Sequence, residues 1–144
     1  MRGKCLCGLI EFEIAGTFPG LYQCHCSLCQ KQSGSSSNTA TIVGIENLRW
    51  LSGQEHISSW VKDTGFRSDF CSQCGSPVPN PLRNMPYYWV PVGLLDIEQP
   101  LQISAHIFVG SKASWDLILP AGTHYETAPE LSDFISLLHA DDNT

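Results

Sequence analysis

The sequence predicts a mainly β protein of short strands, with one or two short helices. Three observations lead there. Runs rich in Val, Ile, Trp, Tyr and Thr recur along the chain, one with the two-residue alternation of a half-buried strand. Twelve glycines and nine prolines in 144 residues favour turns over long helices. Only two stretches have the look of a helix, and both are short.

Taken in order, Cys7 to Ile14 alternates apolar and acidic residues (Leu9/Ile10, Glu11, Phe12, Glu13, Ile14) and reads as a strand, with Glu11 and Glu13 facing solvent. Ser27 to Gln32 reads as a short helical turn and Ser33 to Ser37 as a loop. Thr39–Val43, Ile57–Val61, Tyr87–Val92 and Leu101–Val109 are further strand-like runs, punctuated by Gly16, Gly44, Gly53, Gly65 and Gly93. Pro129 to Leu138 has acidic residues early and apolar ones at Leu131, Phe134, Ile135 and Leu138, which is helical spacing. Trp50, Trp60, Trp89 and Trp115, with Phe12, Phe66 and Phe70, read as core. With no repeat or low-complexity segment, residues 1–144 are expected to form a single domain.

The apolar fraction of 42% against 15% charged residues suits a compact globule rather than a disordered chain. Net charge is −6, and the few Lys and Arg are scattered. A phosphate-neutralising face needs them clustered, so no nucleic-acid partner is expected. No apolar run approaches the roughly 20 residues of a membrane span. Met1-Arg2-Gly3-Lys4-Cys5 has charge but no apolar stretch behind it, so it is not read as a secretory signal. A soluble cytoplasmic protein is the expectation. In a reducing compartment, an odd set of seven cysteines is better explained by metal ligation than by disulfides.

The cysteines form three clusters: Cys5-Leu6-Cys7-Gly8, Cys24-His25-Cys26-Ser27-Leu28-Cys29 and Cys71-Ser72-Gln73-Cys74-Gly75. Two residues between Cys71 and Cys74 let both sulfurs curl toward one point. The glycine that follows permits φ > 0, turning backbone N–H groups toward the thiolates. Cys5-x-Cys7, read as extended, puts both side chains on one face, with Gly8 relaxing the chain behind them. Together these pairs supply the four thiolates of a structural zinc, the alternative being free buried thiols. Cys24, Cys26 and Cys29 can wrap a second zinc from a strand end into a helical turn. No fourth cysteine closes that tetrahedron, which is what a catalytic or ligand-binding zinc needs. Closure by His25 or a distant residue, or another partition of ligands, stays open, although an extended segment points His25 away from its neighbours. Two Zn²⁺ per chain are expected.

All seven cysteines fall on a pattern that resembles the glutathione-dependent formaldehyde-activating enzyme family, whose fold is shared with the Mss4-like zinc proteins. The matching residues are Cys5-Leu-Cys-Gly8, Cys24-His-Cys-Ser-Leu-Cys29, Gly34, Arg67-Ser-Asp-Phe-Cys-Ser-Gln-Cys-Gly-Ser76, Val92-Gly-Leu-Leu-Asp96, and His106-Ile-Phe through Lys112 to Trp115. The resemblance implies an Mss4-like β-tent of short antiparallel sheets around a structural zinc held by Cys5, Cys7, Cys71 and Cys74. It implies a catalytic zinc on Cys24, Cys26 and Cys29. The family's named reaction joins formaldehyde to glutathione, giving S-hydroxymethylglutathione, and is classed as a carbon–sulfur lyase in the reverse sense. A glutathione-like thiol and a small aldehyde are therefore the implied partners.

Glutathione is anionic at neutral pH and this chain is acidic, so local cations would have to compensate. Lys31, Arg67 and Lys112 lie in or beside the matched motifs and are the candidates, with a solvated surface charge as the alternative for each. His106 reads as a core or strand-end histidine bonded to backbone, and Asp69 beside Cys71 as a surface-turn residue, with orienting the site as the alternative. His56, His124 and His139 have no ligand-like spacing. A B-type methionine sulfoxide reductase is excluded, because it needs a reactive cysteine late in the chain and none follows Cys74. A non-catalytic zinc-binding interaction module of the same fold is the alternative function. An enzyme acting on another aldehyde-derived thiol adduct would share the metal chemistry.

Overall fold

The computed structural model describes residues 1–140. In chain order the elements are β1 (Arg2–Lys4), β2 (Glu11–Ile14), β3 (Leu21–Cys24), α1 (Ser27–Ser33), β4 (Asn38–Gly44), β5 (Leu48–Ser52), β6 (Ile57–Val61), β7 (Arg67–Cys71), β8 (Asn80–Pro81), β9 (Tyr87–Pro91), β10 (Ile103–Ile107), β11 (Thr123–His124) and α2 (Leu131–Leu138). The fold is mainly β with two short helices and several small sheets, as the turn-rich composition predicts. No helix among the described residues is long and apolar enough to cross a membrane.

The chain forms two compact units, each built from two stretches. The first joins Met1–Phe18 to Ile42–Gln99, and the second joins Pro19–Thr41 to the chain from Pro100 onward. In the first unit β1, β2 and β5 make an antiparallel sheet, with Gly3 opposite Phe12 and Phe12 opposite Trp50. Phe12 is fully buried and meets Trp50 edge-on, with centroids 5.9 Å apart. Its ring lies directly over Gly3, where an added Cβ would come within 2.5 Å of Phe12 Cζ, so no side chain fits there. β6 and β7 form a two-stranded antiparallel ribbon, and β8 pairs with β9.

In the second unit β3 pairs parallel to β10 and antiparallel to β4, and β11 pairs parallel to β10. Side chains alternate along β3. One face presents Tyr22, which packs edge-on to Phe134 of α2 at 4.8 Å. The carbonyl of Leu138 at the end of α2 accepts from the Gly20 N–H at 2.8 Å, which fixes that helix against the start of β3.

Several expectations need correction. The Cys7–Ile14 strand begins only at Glu11, because Cys5 to Gly8 is a turn closed by the Gly8 N–H on the Cys5 carbonyl at 3.0 Å. The extended reading of Cys5-x-Cys7 fails for the same reason. β10 stops at Ile107, where Phe108 enters the left-handed region at φ 56 and ends the pairing. Trp60 and Trp115 are 55% and 66% exposed rather than core. Glu13 is partnered, with its carboxylate 2.6 Å from Arg49 and 3.8 Å from Arg2. Asp69 lies in β7, buried and gripped by Arg67 through Nε at 2.8 Å and Nη2 at 3.1 Å, and is not part of a surface turn.

Candidate metal centres

In the first unit two turns face one another. Cys5 follows β1 and Cys7 sits in the turn after it, while Cys71 ends β7 and Cys74 sits in the turn that follows. Each turn is closed by the glycine after its second cysteine. Gly8 has φ 81 and Gly75 has φ 77, and the Gly75 N–H bonds the Cys71 carbonyl at 2.8 Å. A β-carbon would strain that left-handed backbone. The same turns aim backbone donors at sulfur: the Ile10 N–H at Cys5 Sγ and the Gln73 N–H at Cys71 Sγ, both at 3.4 Å.

All four sulfurs lie within 4.8 Å of one another. Cys5 and Cys7 are 3.6 Å apart, and Cys7 and Cys71 are 3.8 Å apart. Four sulfurs at about 2.3 Å from a central ion occupy a tetrahedron with edges of about 3.8 Å. These spacings fit a zinc ion, and are far too long for a disulfide, which needs about 2 Å. The donor set is soft, and its thiols shift in different directions: the Leu9 N–H favours the Cys7 thiolate, but desolvation and the three neighbouring thiols outweigh it and push Cys7 up to about 11. Burial opposes ionisation of Cys5, but the Ile10 N–H and the neighbouring thiols outweigh it and hold its pKa below the ordinary range. The Ser76 N–H, chief among the influences on Cys74, helps bring it down to about 6. Ile10 and Val78, both fully buried, pack with Cys5 and Cys71, and Trp50, Ile57 and Leu94 close around them.

The second cluster is local. Cys24 ends β3, Cys26 is the N-cap of α1, and Cys29 lies in its first turn. Cys26 has extended backbone (φ −70, ψ 160), and its sulfur accepts the Cys29 N–H at 3.4 Å. Gly34 ends the helix in the left-handed conformation. Cys24 and Cys29 are buried and Cys26 is half-buried, so the cluster reaches the surface along its Cys26 edge. Hydrogen bonds from Cys24 and Cys29 draw Cys26 down to about 2, and the same bond to Cys26 drives Cys24 up to about 12. Cys29 is raised as well, by its two thiol neighbours. The three crowded sulfurs thus resist ionising together, one thiolate being favoured at the expense of its two neighbours. A divalent cation is the natural replacement for thiol protons in such a cluster, so this donor set also fits zinc.

No carboxylate or imidazole joins the three sulfurs among the described residues. His25 does not close the site, because both its ring nitrogens are engaged elsewhere. Nδ1 lies 2.7 Å from an Asp116 carboxylate oxygen and Nε2 lies 3.0 Å from His106 Nδ1. His106 is itself buried, and its ring lies 4.8 Å from that of His124, tilted 55° to it. Its bond to backbone at Ala121 agrees with the reading of a core or strand-end histidine held by backbone, and His25 is a second partner that the sequence did not announce. Burial, aided by His25 and His124, lowers the His106 pKa.

The cation candidates separate clearly. Arg67 is committed to Asp69, and the Lys112 ammonium bonds the Asp116 carbonyl at 3.2 Å. Lys31 is exposed in the last turn of α1. Asp116 and Gln30 were given no role by the sequence. Their only signal was proximity to matched motifs, since Asp116 meets His25 across 91 residues of chain.

Comparison with known proteins agrees with this arrangement. Residues 1–111 match the family described as glutathione-dependent formaldehyde-activating enzyme. Among solved structures, a Rhodobacter sphaeroides protein is similar at 27% identity and a TM-score of 0.57, over 69% of this chain and 92% of that one. Curated proteins give no match. On the strength of a match that takes in both cysteine clusters, the chain belongs to the glutathione-dependent formaldehyde-activating enzyme family.

Proposed function

We propose that this protein is a zinc-dependent carbon–sulfur lyase-type enzyme that forms or cleaves the adduct between a glutathione-like thiol and a small, formaldehyde-like aldehyde. The observation that carries the reading is the incomplete ligand set at Cys24, Cys26 and Cys29, beside a complete one at Cys5, Cys7, Cys71 and Cys74. The complete set is the structural zinc site and the incomplete one is the reactive site. With three thiolates already on it, a zinc there supplies a place for a fourth sulfur as thiolate more readily than Lewis acidity toward a carbonyl oxygen.

The chain's own residues then have defined tasks. Cys24 and Cys29 hold from the buried side, and half-buried Cys26 leaves the approach open. Adduct formation makes one S–C bond as the carbonyl π pair moves onto oxygen. The proton given up by the thiol ends on that oxygen, and the reverse reaction returns it. Lys31 is the cation best placed in the sequence to attract an anionic thiol, since it lies on α1 with Cys29 and forms none of the committed contacts of Arg67 and Lys112. We place the protein in the cytoplasm, where thiols stay reduced.

The test is exchange NMR of glutathione with formaldehyde, using protein carrying two equivalents of zinc and its Cys26→Ser variant. Exchange above the uncatalysed rate is expected for the wild type and its loss in Cys26→Ser, which should keep one zinc and its fold. Wild-type exchange no faster than background would overturn the proposal and leave a non-catalytic zinc module of this family.

A further inference from the structure

We propose that Asp116, acting through His25, is a positioning residue of the three-cysteine site, setting the spacing of Cys24 and Cys26 and hence the affinity of that site for metal. The inference rests on reading Cys24, Cys26 and Cys29 as metal ligands.

His25 is the residue between two of those ligands, so its backbone torsions determine how far apart their sulfurs stand. Every polar group it owns is held, and by different elements. Its N–H donates to the Ile107 carbonyl of β10 at 3.0 Å. Its carbonyl accepts from Gln30 Nε2 of α1 at 2.9 Å. Its ring meets Asp116 at 2.7 Å on one side and His106 at 3.0 Å on the other. A carboxylate can only accept, so the Asp116 contact puts a proton on His25 Nδ1 and fixes the orientation of the ring.

Asp116 is anchored in turn. Its N–H bonds the Ala113 carbonyl at 3.0 Å, and its carbonyl accepts from Lys112 Nζ at 3.2 Å. Gln30 reaches the Ser111 carbonyl at 3.2 Å with the same amide that holds His25, tying the 111–116 loop to α1.

Stability alone is a poor explanation for this network. His25 is 1% exposed and the Asp116 side chain 9% exposed. Burying such a pair often gains nothing over well-packed apolar residues of the same size. What the pair does provide is a fixed direction for the ring, added to the backbone bonds that already hold the strand-to-helix corner at His25. It also explains why His25, beside two of the three sulfurs, is not a fourth ligand of the cluster: both its ring nitrogens are taken by Asp116 and His106.

The experiment is cobalt titration of the whole protein, read in the thiolate-to-cobalt charge-transfer band. The spectrum of Cys26→Ser, which keeps only the four-cysteine site, is subtracted to isolate the three-cysteine site. Asp116→Ala is expected to weaken cobalt binding at the three-cysteine site about tenfold, the low end of the effect of residues that orient a metal shell. The four-cysteine site in the same chain should be unchanged. Asp116→Asn, which keeps an acceptor for His25 Nδ1–H, should return affinity to within about threefold of wild type.

Wild-type affinity in Asp116→Ala, equal weakening of both sites, or failure of Asp116→Asn to restore binding would each overturn the proposal. Should Asp116→Ala not fold, Gln30→Ala removes the side-chain grip on the His25 carbonyl and must weaken the same site alone; no change there overturns the proposal equally. No substrate enters this assay. Absent thiol–aldehyde catalysis with the cobalt asymmetry intact refutes only the proposed activity, and catalysis without the asymmetry refutes only the positioning role.

Discussion

Replacing Cys74 with serine tests the division of labour between the two cysteine clusters most directly. Cys74 is one of four sulfurs drawn within 4.8 Å, and the Ser76 N–H is the largest influence bringing its thiol down to about 6. That shift favours the thiolate a metal needs, whereas a serine hydroxyl stays protonated. Structural zinc contributes about 10–16 kcal/mol to the folding of small zinc domains. An even share for one of four ligands is about 3–4 kcal/mol, a large part of the roughly 5–15 kcal/mol that holds a domain together. At this chain length that loss lowers the melting temperature by about 10 °C or more. Thermal unfolding by circular dichroism, with zinc counted by mass spectrometry under native conditions, reads both quantities. Cys74→Ser should lose one zinc and unfold early. A variant that melts with the wild type while still lacking one zinc would show that the four-cysteine site does not hold the fold.

Two further substitutions test contacts away from the metals. Arg67→Ala strips the bidentate partner from Asp69, which is 4% exposed, and should cost about 2 kcal/mol in urea unfolding. That is below the figure for a wholly buried pair because the Arg67 side chain is itself 37% exposed, and an unchanged midpoint would contradict it. Gly53→Ala places a Cβ against the Leu9 carbonyl at a residue with φ 77, so both strain and collision apply. A loss of more than about 2 kcal/mol is expected, and a variant as stable as wild type would mean that the β2–β5 corner gives way easily.

What was legible in the sequence was local. The glycine-closed turn at Cys71–Gly75, the helix start at Ser27 and the strands Ile57–Val61 and Tyr87–Pro91 depend on neighbours a few residues away. Of β3 only the end at Cys24 was legible, because three of its four residues are buried, which erases the two-residue alternation that marks a half-exposed strand. Its pairing with β10 joins Cys24 to Ile107, and no nearby residue announces it. Asp69 illustrates a signal that was present and misread. Arg67 and Asp69 alternate on one strand, so they share a face and can pair, but without the knowledge that β7 is a strand the acidic residue beside a cysteine turn reads as surface. The His25 network shows the harder case, because Asp116 and His106 reach it from 91 and 81 residues away.

The contrast between the clusters follows from where each draws its sulfurs. The four-cysteine set takes two from each of two turns, and its Cys7–Cys71 edge spans 64 residues of chain. A metal there closes a long loop, and removing it returns that loop's conformational freedom to the chain, so its binding energy is folding energy. The three-cysteine set comes from a single strand-to-helix segment between Cys24 and Cys29. A metal there closes no long loop, and the segment is held instead by the β3–β10 ladder, the His25 N–H on Ile107 and the Gln30 amide. Such a site can gain, lose or share its metal while the chain around it stays folded. Under the proposed function, that independence would let three sulfurs serve an incoming thiol while the other four keep the first unit intact.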